Sequence, residues 1–164
     1  MREPKAAKGI YLLQVPQAEG MGKKVLIVED EIFVALEIEQ IVEDAGFTVG
    51  AIAADRAAAL ESADNCDIAL VDLNLRDGPT GPQIGMELAS RHGIRVIYVT
   101  ANPAQIGDAS VAALGVITKP FRAQSISAAL KLAATEKPDL LAAEIAGFTP
   151  FPPPGSWNAM ESRG

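Results

Sequence analysis

The chain has 164 residues, 49% hydrophobic and 21% charged, a balance that supports one packed domain and excludes both disorder throughout and a second ordinary domain. Its net charge of −7 excludes the basic surface that a nucleic-acid binder needs. A single cysteine, Cys66, excludes an internal disulfide, and no apolar run approaches the roughly 20 residues of a membrane span, so a cytoplasmic protein with no nucleic-acid or membrane partner is expected.

In chain order, residues 1–22 carry scattered charge with no sustained period and are expected to form a flexible N-terminal extension. Their apolar patch, Ile10 to Val15, is short and interrupted by Gln14, unlike a secretory signal, and Met21 offers an alternative start. Residues 23–134 alternate short apolar runs with amphipathic ones, giving five strand–helix pairs. Val25–Val28 reads as a buried first strand. Val34, Ile38, Ile41 and Ala45 then recur at helical spacing up to Gly46, a C-cap. Phe47–Ile52 is strand two, and Asp55 caps an alanine-rich helix reaching about Ala63. Asp67–Val71 is strand three, and Pro82 suits the first turn of a helix that stops near Gly93. Arg95–Val99 is strand four, Pro103 opens a weak fourth helix interrupted by Gly107, and Val116–Thr118 is a short strand five. Ser125, Ile126, Ala129, Leu130 and Ala133 share one face of the fifth helix. Residues 135–164 form a proline-rich C-terminal tail whose Phe148–Gly155 stretch is forced into extended or polyproline II geometry.

Strict alternation with continuous apolar strands predicts an α/β fold: a flavodoxin-like, doubly wound, five-stranded parallel sheet of order 2-1-3-4-5 with five helices. That topology brings the carboxyl ends of the strands to one rim. Strand one ends in Glu29-Asp30-Glu31, strand three in Asp72, strand four in Thr100 and strand five in Lys119-Pro120. Singly, each is an ordinary turn, cap or loop residue; together they make a coherent chemistry. Crowded carboxylates repel, and Mg²⁺ relieves the repulsion through oxygen ligation. Asp30 and Asp72 would be direct ligands, Glu29 would act directly or through water, and the Asn74 backbone carbonyl is a natural third oxygen. Asp72 would accept a phosphoryl group, with Lys119 supplying positive charge and Thr100 a hydrogen bond to a phosphoryl oxygen.

These residues carry a resemblance. Val25-Leu-Ile-Val-Glu-Asp-Glu31, Leu70-Val-Asp-Leu-Asn-Leu75, Val99-Thr-Ala101 and Thr118-Lys-Pro-Phe121 resemble the receiver domain of bacterial two-component response regulators, over residues 23–134. The resemblance implies that Asp72 takes a phosphoryl group from a phosphohistidine on a sensor histidine kinase or a phosphotransfer protein. It implies that Glu29 and Asp30 are the acidic Mg²⁺ pair, and that Thr100 and Lys119 read the phosphorylated state. A surface of helix four, strand five and helix five would respond. Phe33, Glu37 and Gln40 on the first helix would face the kinase, and Asn74 and Asn102 would flank the path of attacking water and tune phosphoryl lifetime. Three features depart from the family pattern. Val116 and Ile117 stand where strand five usually carries an aromatic switch residue, the Thr100–Lys119 segment is short, and the loop Arg76-Asp-Gly-Pro-Thr-Gly-Pro82 is lengthened with Arg76 in place of proline.

The leading reading is a stand-alone, single-domain receiver that signals through an output protein or relays phosphate; a homodimer is compatible with it. A phosphatase of the haloacid dehalogenase type also uses an aspartyl nucleophile and Mg²⁺, but needs an acid two residues later, where Asn74 stands. A receiver-like interaction module that works without phosphorylation is the third reading. Phe148, Phe151 and Trp157 in the tail would let it dock on the domain or on a partner, against a composition that fits a disordered tail.

Overall fold

β1 (Lys24–Val28) is an apolar run whose last four residues are buried. A strand with no wet face belongs in the middle of a sheet covered on both sides. β1 accordingly pairs in parallel with β2 (Thr48–Ala53) on one edge and with β3 (Ile68–Val71) on the other. β4 (Arg95–Thr100) and β5 (Ala113–Thr118) extend the parallel sheet beyond β3. This computed structural model describes residues 22–139 and 144–152.

α1 (Ile32–Asp44) and α4 (Ala123–Ala134) cover one face of the sheet. Ile38, Val42, Ile126 and Leu130 pack there against Val25, Ile27, Leu70 and Val99. α2 (Arg56–Glu61) and α3 (Gly81–His92) cover the other face, where Ala59, Ile84 and Leu88 meet Leu26, Val28, Val71 and Tyr98. Alternate residues of each strand thus feed two separate cores, as the doubly wound topology requires. The fourth helical connection is 3₁₀ rather than α: Pro103–Gln105, then Gly107–Ala112. Pro103 lacks a donor, and Gly107, at φ +52°, takes a left-handed conformation that α-helix does not continue.

The order 2-1-3-4-5 is therefore observed, and a sixth strand extends it. β6 (Phe148–Pro150) lies antiparallel against β5, so the sheet runs β2-β1-β3-β4-β5-β6. This strand falls inside the proline-rich stretch read as polyproline II or disordered tail. Proline is tolerated there because an edge strand needs donors on one side only. β5 is also longer than the expected Val116–Thr118, beginning at Ala113. The N-terminal extension up to Met21 and Trp157 lie outside the described residues.

Candidate phosphoacceptor site

β1 and β3 are neighbours whose following connections leave toward opposite faces, so a crevice opens at their carboxyl ends. Glu29 and Asp72 follow those strands directly. Both are buried, Glu29 at 2% and Asp72 at 9% exposure, whereas Asp30 is exposed. One oxygen from each of Glu29, Asp30 and Asp72 lies within 4.8 Å of the others. Lys119, after β5, reaches across with Nζ 2.7 Å from Glu29 Oε1 and 3.0 Å from Asp72 Oδ2. The chain-distant acids and the lysine thus meet in one place.

Local hydrogen bonds fix these groups. Glu29 Oε2 accepts from the Glu31 amide at 3.1 Å, at the N-terminus of α1, where a negative group is favoured. Asp72 Oδ1 accepts from the Leu73 amide at 2.7 Å, which leaves Oδ2 on the lysine. Gly81 seals the loop behind Asp72. A Cβ at that position would stand 2.1 Å from the Asp72 carbonyl oxygen, so only glycine lets α3 start so close to the acid. Thr100, 1% exposed, accepts from the Asn102 amide at 3.1 Å, and its carbonyl accepts from the Lys119 amide at 2.8 Å. Strand four and the lysine are thereby tied together.

Burial pushes the Glu29 carboxyl above its usual range, and hydrogen bonds from Lys119 and the Glu31 amide offset this only in part. Burial also opposes the charge on Lys119, but hydrogen bonds and attraction from Glu29 and Asp72 outweigh it and hold the amine above its usual value. The pocket therefore holds an ammonium among three acids, with negative charge in excess. An all-oxygen donor set of this kind suits a hard divalent cation such as Mg²⁺, and Glu29, Asp30 and Asp72 fit one.

The remaining expected residues sit farther out. Asn74 is exposed, with its side-chain amide on Gln105 Oε1 at 2.8 Å, and Asn102 is exposed. Phe33, Glu37 and Gln40 share the outer face of α1; Phe33 is 84% exposed, and Gln40 bonds Asp44 Oδ1 at 2.9 Å. Two ties were not foreseen. The Arg76 guanidinium pairs with the Asp55 carboxylate, and Asp77 accepts from the Arg56 amide at 3.1 Å and from the Thr80 hydroxyl at 2.7 Å. The lengthened loop after Asp72 is thus pinned to the β2–α2 connection. The only signal for this in the sequence was Arg76 in the usual place of proline.

Residues 25–142 match the response regulator receiver domain family. The chain belongs to that family. It is 31% identical over 121 residues to the phyllosphere-induced regulator PhyR of Methylorubrum extorquens, a match covering 71% of this chain and 45% of PhyR. The chain thus spans less than half the length of that curated relative. The solution structure of the PhyR receiver domain from Erythrobacter litoralis superposes with a TM-score of 0.63 at 26% identity, covering 69% of this chain and 90% of that one. PhyR of Brucella abortus superposes with a TM-score of 0.59 at 27% identity, over 78% of this chain and 54% of that one. A CheY-like receiver protein from Methanospirillum hungatei gives 0.59 at 26% identity, over 68% and 93%. The family assignment makes the protein a signalling module of the two-component type. Among the described residues no helix is long and apolar enough to cross a membrane.

Proposed function

We propose that this receiver is a phosphoacceptor whose acceptor is Asp72. The observation that carries the reading is the placement of the Lys119 ammonium on Asp72 Oδ2 and Glu29 at once, with Asp30 alongside. An Asp72 oxygen attacks the phosphorus of a phosphohistidine on a sensor kinase or phosphotransfer protein. The P–N bond breaks, and the imidazole leaves and picks up a proton. Mg²⁺, held by Glu29, Asp30, Asp72 and the Asn74 backbone carbonyl, would neutralise charge on the transferring group. Lys119 follows the charge from the Asp72 carboxylate to the new phosphoryl oxygens, and Thr100 donates its hydroxyl to one of them. Asn74 and Asn102, exposed at the mouth, set the access of water and so the lifetime of the acyl phosphate. The protein catalyses only this gain and loss of its own phosphoryl group.

The exposed Phe33, with Glu37 and Gln40, offers the kinase or phosphotransfer partner a contact beside the acceptor. Output passes through contact with another protein. A phosphatase reading lacks the acid that would serve a leaving group, because Asn74 stands there and bonds Gln105.

The test is incubation with acetyl phosphate and Mg²⁺, followed by intact-mass analysis. Wild type gains one phosphoryl group, while Asp72→Asn or EDTA abolishes the gain. An unmodified wild type under acetyl phosphate and under phosphorylated phosphotransfer proteins contradicts the proposal.

A further inference from the structure

The segment from Ile145 to Phe151 fits the β5 edge as a built element. Ile117 faces Phe148, Val116 faces Thr149 and Gly115 faces Pro150. Beyond both ends, the Thr118 amide donates to the Gly147 carbonyl at 3.4 Å and the Phe151 amide to the Leu114 carbonyl at 2.9 Å. The two aromatic rings straddle the sheet. Phe148, 6% exposed, enters the α1/α4 core, and Phe151 packs on the α2/α3 core. Features distant in the chain are cut to this strand. A Cβ at position 115 would stand 2.4 Å from the Thr149 carbonyl oxygen and 2.5 Å from Phe148 Cζ, so Gly115 leaves room for both. Ser125 on α4 donates its hydroxyl to the Ala146 carbonyl at 2.5 Å.

Two contacts run from this strand to the acceptor site. Its ladder ends at Thr118, the residue before Lys119, and Thr118 is registered on Thr100 in β4. Thr149 and Phe151 also line a cavity of about 330 Å³ with Pro103, Ile106, Val116 and Thr118. That cavity separates the strand from the 3₁₀ turn that follows Thr100. Movement of Thr100 or Lys119 therefore has a short path, through one β5 residue and across one open pocket, to the hold on β6.

We propose that the β5 edge is a strand-docking surface which this chain occupies in cis with residues 145–151, Phe148 and Phe151 being the anchors, and that its occupancy is linked to the state of Asp72. The linkage rests on the phosphoacceptor reading above; the docking does not. A strand with bulky apolar residues at positions i and i+3 is what the edge accepts, with main-chain bonds supplying affinity and the two core pockets selectivity. Linkage is reciprocal: by whatever factor Asp72 modification weakens or strengthens strand docking, docking weakens or strengthens the modification equilibrium by the same factor.

Two measurements on the full chain test this. The first uses a labelled peptide of residues 144–152 as probe. Phe148→Ser opens the edge and binds the peptide at least about tenfold more tightly than wild type, whose edge is filled. Phe151→Ser, a change at a half-buried position, is the second variant should the first fail to fold. Equal binding to wild type and a folded variant, or none to either, overturns the docking. The second is amide hydrogen exchange before and after Asp72 is converted to its acyl phosphate or a beryllofluoride adduct. Protection of Leu114–Thr118 and Phe148–Phe151 should change by about tenfold or more. A formed adduct with unchanged protection overturns the linkage alone. No adduct at all overturns the phosphoacceptor reading and the linkage with it, while the peptide result still decides the docking.

Discussion

Glu29 is the residue on which the electrostatics of the pocket turn. Its carboxyl is buried, its ordinary pKa is raised chiefly by that burial, and one ammonium serves it and Asp72 together. An acid whose folded pKa lies above its unfolded value favours folding while protonated and loses that contribution as pH rises through the raised pKa. Above that point the ionised Glu29 costs stability, and a cation binding the ionised site recovers it. Mg²⁺ is therefore expected to raise the melting temperature at pH 7.5 and to raise it far less at an acid pH at which Glu29 holds its proton. Calorimetric scans at both pH values check this; an equal gain at both contradicts it. The acids, Thr100 and Lys119 were legible in the sequence because each follows directly on a strand of a parallel sheet, and that topology delivers strand ends to one rim. The Arg76–Asp55 and Asn74–Gln105 pairs were not, because they depend on how loops lie against each other, which no periodicity encodes.

Among the elements, α3 and β4 meet more closely than apolar packing alone would bring them. Tyr98, fully buried on β4, donates its hydroxyl to the Ala109 carbonyl at 3.1 Å and lies flush against Gly85 of α3. A Cβ at position 85 would stand 2.2 Å from the tyrosine oxygen. Gly85→Ala is expected to destabilise the protein by about 1–3 kcal/mol, in spite of the better helix propensity of alanine, through overpacking against a ring with no free space. Urea denaturation measures it, and a stabilised variant contradicts the packing argument. The buried aromatic of this region thus comes from β4, while β5 presents Val116. Strand five, expected over Val116–Thr118, begins at Ala113 and includes Gly115, which makes room for Phe148. β6 was illegible for a related reason. Its prolines signal polyproline II locally, and only the exposed edge of a completed sheet turns such a stretch into a strand.

For the molecule as a whole, five parallel strands and their coverings were written in the alternation of apolar runs, and the resulting fold accounts for the site. The net charge of −7 has a local expression, because three of the acids crowd one crevice and Lys119 answers only part of their charge. Buried carboxylates, a lysine bonded to both, and a loop closed by Gly81 suit the proposed phosphoryl acceptance more directly than they serve stability. The sixth strand adds a structural consequence at the far edge of the same sheet. If Asp72 is the acceptor, it carries the phosphoryl group as an acyl phosphate. Borohydride reduction after treatment with acetyl phosphate and Mg²⁺ converts an aspartyl phosphate to homoserine, and peptide mass mapping locates it. Homoserine at position 72 and nowhere else is the predicted result; reduction at another acid, or at none, contradicts the account.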